Sequence, residues 1–139
     1  FAAKVHMGLA IVDKRRPKAN VCEVMNIIGN VEGKVCILVD DMCDTAGTLT
    51  IAASALKKAG AVEVYAAATH GILSNPAIER IANSELVELV ISDSISLPEE
   101  KKIDKIKVLT VANMLAKAIE YIQKGSSMNV VYDLYKDKR

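Results

Sequence analysis

Three carboxylates, Asp40, Asp41 and Asp44, stand beside Thr45-Ala46-Gly47-Thr48 in the stretch VDDMCDTAGT. Ionised carboxylates accept hydrogen bonds and donate none, so an adjacent pair suits the hydroxyls of a vicinal diol. A loop of small and hydroxyl residues opening a helix does the opposite job. Its backbone N–H groups, with the helix dipole behind them, attract phosphate. Gly47 lets a ligand approach the backbone closely. A molecule carrying both a diol and a terminal phosphate satisfies both halves, and ribose 5-phosphate is such a molecule.

Two plainer arrangements compete with that reading. One is an acidic strand end followed by a helix that Thr45 or Thr48 caps. The other is a receiver-type acidic pair holding Mg²⁺. That pair wants a third Asp at the end of a later strand and a Lys beyond it, and AAATHG and VISDS do not supply them in that order. A Walker A loop is excluded, since GxxxxGK[ST] does not occur.

A second cluster, DKRRPKAN, gathers Lys14, Arg15, Arg16 and Lys18 around Pro17. It reads either as a solvated basic loop or as a mobile loop that closes over polyphosphate. In the latter, Lys acts as a point charge and Arg as a planar, multi-donor clamp. His70 ends an apolar run and reads as structural, His6 as a helix-surface residue. Cys43 falls at an accessible place inside the acidic loop, with no neighbour that would activate it.

The elements that must position these residues alternate in type. AAKVHMGL reads as the end of a helix, GLAIVD as a strand, Lys14–Asn20 as a polar loop broken by Pro17, and VCEVMNIIG as an edge strand. KVCILVD is a continuous apolar run, the pattern of a strand buried on both faces. TLTIAASALKKAG predicts a helix closed by Gly60. VEVYAAATH, VELVISDS and KVLTV predict strands, with NPAIERIANS a helix between the first two. ANMLAKAIEYIQKG predicts an amphipathic, core-facing helix, and the tail SSMNVVYDLYKDKR an added strand or a mobile end. Strands alternating with helices imply an α/β fold with a mostly parallel central sheet flanked by helices. Ligands of such sheets bind at the carboxyl ends of strands, near a switch in strand order, and VDDMCDTAGT falls at a strand end.

The bulk numbers narrow the classes. At 139 residues the chain makes one domain; with 51% apolar and 25% charged residues it is globular rather than disordered. A formal charge of +1 and a single Phe with no Trp argue against a nucleic-acid partner. No apolar run reaches the roughly 18–20 residues of a membrane span. Three cysteines without CxxC spacing point to a reducing compartment, with cytoplasmic the expectation.

VDDMCDTAGT resembles the motif shared by type I phosphoribosyltransferases and ribose-phosphate diphosphokinases. IVDKRRPKANVCEVMNIIGNVEGK upstream and VYAAATHGILSNPAIERIANSELVELVISDSISLPEEKK downstream resemble the second group, along Leu9–Gly125. The resemblance implies a phosphoribosyltransferase-like domain at 1–125, a tail at 126–139, and a separate N-terminal half that binds ATP and metal. It implies transfer of diphosphate from ATP to C1 of ribose 5-phosphate, making 5-phosphoribosyl 1-pyrophosphate. Lys14 and Arg16 match the catalytic-loop cations. Asp40 matches a ribose-binding acid, Asp41 sits in the same motif, and Asp44, Thr45, Ala46, Gly47 and Thr48 match the ribose 5-phosphate loop. Mg²⁺ is the implied cofactor, with its ligands mainly in the N-terminal half and none assigned here. ATP and ribose 5-phosphate are the implied partners, in a homo-oligomer. The alternatives are a type I phosphoribosyltransferase and a non-catalytic regulatory subunit; without the N-terminal half, this chain alone is expected to be inactive.

Overall fold

A computed structural model describes residues 2, 6–15 and 24–134. The elements in chain order are β1 (Ile11–Arg15), β2 (Val24–Ile28), β3 (Val35–Cys43), α1 (Gly47–Lys58), β4 (Glu63–Gly71), α2 (Ala77–Ala82), β5 (Leu86–Ser92), β6 (Ile106–Leu109), α3 (Ala112–Gln123) and α4 (Asn129–Leu134). β3, β4, β5 and β6 form a parallel sheet in that spatial order, and β1 pairs with β2 as a separate antiparallel ribbon. The fold is α/β with a parallel central sheet, as the alternation of elements implies. Among the described strands the order runs one way without a reversal, so the stretch VDDMCDTAGT lies at the carboxyl end of an edge strand rather than at a switch.

The core follows from two periodicities. In β4, Val64, Ala66 and Ala68 point to one face and are buried, and in register with them stand Leu89 and Ile91 of β5. Helix α1 lays Leu49, Ala52, Ala53 and Leu56 on that face, the spacing of one helical stripe. Alanines on both partners let helix and sheet approach closely. Helix α2 closes the layer with Ala77 and Ile81, both fully buried. Gly60 ends α1 as expected. It has φ 93°, its N–H donates to Lys57 O at 3.0 Å, and Ala61 N–H donates to Leu56 O at 3.1 Å.

Five expectations are corrected. β1 runs on through Lys14 and Arg15, so the polar loop begins later than Lys14; 16–20 lie outside the described residues. β3 is not buried on both faces. Val35, Ile37 and Val39 are about half exposed, because β3 is the edge of the described sheet and the described helices α1 and α2 cover only its other face. α3 forms, yet none of its residues is buried, and Ile119 is 66% exposed. Its amphipathic period is real, but the described residues offer its apolar stripe no sheet to cover. The tail holds the short helix α4 rather than a strand, beside α3 and with Val131 buried. His6 is exposed but sits in a turn at φ 53° rather than on a helix. No helix among the described residues is long and apolar enough to cross a membrane.

Candidate functional site

β3 does not stop at its aspartates; it continues through Asp40, Asp41 and Met42 to Cys43. Its register with β4 sets Asp40 beside Ala68 and Met42 beside His70. Side chains alternate along a strand, so Asp40 and Met42 share the face of the core while Asp41 points to the other. The Asp41 N–H donates to Asp40 Oδ1 at 2.9 Å, which fixes the carboxylate at the head of the strand.

The chain then turns from strand to helix on Ala46, at φ 57° and ψ 7°, a left-handed conformation uncommon for a residue with a side chain. Ala46 is buried, and its methyl is small enough to fit there. The peptide between Thr45 and Ala46 is held through its carbonyl: Arg80 Nη1 donates to Thr45 O at 3.0 Å. The Ala46 N–H acts on the Cys43 thiol in the direction that lowers its pKa, against the larger effect of burial. Within α1 the Thr50 N–H reaches Ala46 O at 3.0 Å, and no side chain caps the helix. This corrects the capping alternative: the N-cap position falls on Ala46, which has no hydroxyl, with Thr45 before it and Thr48 inside the first turn. An uncapped N-terminus directs backbone donors and the positive end of the dipole outward.

Asp40 and the whole run Asp44–Thr48 line one cavity of about 220 Å³, with Ala68 at its floor. Asp41 does not line it. A larger cavity of about 510 Å³ lies along the uncovered side of β3, between Met7–Ala10 and Val35–Val39, and holds none of the acids. Its lining is mostly apolar, with Asn30 and Lys34 the polar members.

Cys43 is not accessible as expected; it is 4% exposed. Burial, then the nearby Asp40 carboxylate, push its thiol up to about 11, so it stays protonated and is no nucleophile. His70 Nδ1 lies 2.9 Å from Ser94 Oγ, and Ser92 Oγ donates to Thr69 O at 2.6 Å, which ties the ends of β4 and β5 together. Lys14 joins β1 by its backbone, and Arg16 lies outside the described residues. Arg80 was not among the expected site residues. Nothing local marks it, since its partner is 35 residues away in the chain.

The chain is similar to known proteins over most of its length. The sequence model of the phosphoribosyl synthetase-associated domain family matches residues 1–133. A ribose-phosphate pyrophosphokinase of Caldanaerobacter subterraneus subsp. tengcongensis is 63% identical over 132 residues, 95% of this chain and 42% of the relative. One from Bacillus caldolyticus is 56% identical over 133 residues, 96% of this chain and 42% of the relative. The crystal structure of phosphoribosylpyrophosphate synthetase from Mycobacterium smegmatis superposes with a TM-score of 0.81 at 35% identity, covering 90% of this chain and 40% of that one. The chain thus spans less than half the length of the relatives it matches.

Proposed function

Because the chain belongs to the phosphoribosyl synthetase-associated domain family, we propose that it is the sugar-phosphate-binding part of a ribose-phosphate diphosphokinase. In that reaction O1 of ribose 5-phosphate loses its proton and attacks the β-phosphorus of ATP. The bond between that phosphorus and the oxygen it shares with the α-phosphorus breaks, and AMP leaves with the oxygen. The transferred diphosphate makes 5-phosphoribosyl 1-pyrophosphate.

One observation carries the reading. The uncapped N-terminus of α1 and the Asp40 carboxylate face the same cavity of about 220 Å³. Amides of the 44–48 loop receive the 5-phosphate, and Asp40 accepts hydrogen bonds from ribose hydroxyls. Asp41 serves through its N–H, which holds Asp40 in place. Lys14 and Arg16 stabilise the charge that develops on the transferred group, where loss of one such contact costs on the order of 10²–10³ in rate. Holding acceptor and donor in line accounts for the remaining acceleration.

Magnesium serves this reaction with its ligands mainly in the N-terminal half of the enzyme and on the polyphosphate. Among the described residues no three His, Cys, Asp or Glu side chains gather as a metal cage, and Mg²⁺ at nucleotides commonly takes most of its ligands from phosphate and water. Assembly of copies is supported by apolar surface left open on β3 and α3, with Val39 58% and Ile119 66% exposed.

Titration with ribose 5-phosphate, followed by amide NMR, tests the site. Asp44–Thr48 should shift first, and the affinity should fall as salt rises. Shifts confined to α3 and α4 would sink the assignment.

A further inference from the structure

Helix α2 is held against the core by Ala77 and Ile81, both fully buried, so the base of Arg80 between them is fixed in space. From there the guanidinium reaches the back of the 44–48 loop. Its Nη1 donates to Thr45 O at 3.0 Å, and it lies 3.1 Å from where a Cβ on Gly47 would stand.

A trans peptide holds its C=O and N–H pointing in opposite directions. With Thr45 O on Arg80, the plane of the Thr45–Ala46 peptide cannot rotate without losing that bond. This peptide sets φ of Ala46, the left-handed residue that aims the first turn of α1. A guanidinium bond to a carbonyl is also the stronger kind, since its donor is charged.

We propose that Arg80 is a positioning residue for the sugar-phosphate site: it clamps the Thr45–Ala46 peptide through Thr45 O, and its guanidinium crowds the space a side chain at position 47 would take. The inference rests on the reading of the loop as a phosphate site. It adds a residue that touches neither sugar nor phosphate, brought to the loop from a different helix.

The test uses the whole 139-residue chain and its Arg80→Gln and Arg80→Lys variants, titrated with ribose 5-phosphate and with inorganic phosphate while the amides are observed. Wild type should show saturable shifts at Asp44–Thr48. Arg80→Gln should keep a dispersed spectrum, show altered loop amides before any ligand is added, and bind both ligands about tenfold more weakly. Arg80→Lys, which keeps the charge but loses the planar fork, should recover part of that loss. A second comparison isolates the geometry. Gly47→Ala should weaken binding in the wild-type background and do so less when Arg80 is already Ala, because the atom it would strike is gone.

Unchanged affinity and unchanged loop amides in Arg80→Gln would overturn the proposal while leaving the phosphate site standing. No response of the wild-type loop to either ligand would overturn the site itself, and the clamp's purpose with it. If Arg80→Gln does not fold, Arg80→Lys decides alone. Wild-type affinity and loop shifts there would show that the fork is not needed.

Discussion

The Asp40 carboxylate accepts the backbone N–H of Asp41 at 2.9 Å, yet the two side chains lie on opposite faces of β3. Adjacent acids that look like a pair in the sequence are therefore a cavity-lining group and the neighbour whose N–H holds it. Asp40→Asn keeps an Oδ1 acceptor for the Asp41 N–H but turns a group that only accepts into one that also donates. Ribose 5-phosphate should bind about tenfold more weakly, with thermal stability nearly unchanged. Asp41→Asn should change affinity much less. Equal losses by calorimetric titration would show that the two acids do act as a pair.

Cys43 provides a test by pH. Its thiol is raised to about 11 by burial first and Asp40 second. A raised pKa in the folded state means the neutral thiol is favoured there. The stability it contributes is complete below the unfolded value of roughly 8.5 and is lost as pH climbs toward 11. In a Cys22→Ser, Cys36→Ser background, the remaining thiol should react with a disulfide reagent at pH 8 at least about 100-fold more slowly in buffer than in urea. Fast labelling of the folded protein would place Cys43 at the surface.

Two apolar residues on equally periodic elements should behave differently. Leu89 is fully buried in β5, whereas Ile119 on α3 is 66% exposed. Leu89→Ala should cost about 2–5 kcal/mol in urea unfolding, and Ile119→Ala within about 0.5 kcal/mol. A large loss at Ile119 in the isolated chain would mean that α3 is packed against the sheet in solution.

Catalysis is best divided in a full-length relative of the same family. There the lysine at the place of Lys14 should, on changing to Ala, lower kcat far more than it raises KM for ribose 5-phosphate, because its charge is needed mainly in the transition state. The acid at the place of Asp40 should affect KM more. The isolated chain, given ATP, Mg²⁺ and ribose 5-phosphate, should release no AMP. Robust release would locate an ATP site within these residues.

Local patterns determined most of the elements. The stripe Leu49, Ala52, Ala53, Leu56 and the glycine at 60 are enough to write α1, because both follow from the geometry of a single helix and its end. The turn from strand into helix at Asp44–Thr48 was legible for the same reason, since it is local to adjacent residues. The apolar run of β3 spoke for burial, but burial belongs to whatever lies against a strand, and the described residues cover one face only. The amphipathic period of α3 likewise states which side could be covered, not that anything covers it. Three features of the site were decided only by packing. Cys43 sits inside rather than outside because it joins the core cluster that also holds Ala46, Leu49 and Leu73. Asp40 and Asp41 part company because the strand runs past them. Arg80 meets Thr45 because α2, 35 residues on, is pressed against the same sheet end. Such contacts depend on how elements stack, and no spacing along the chain encodes that.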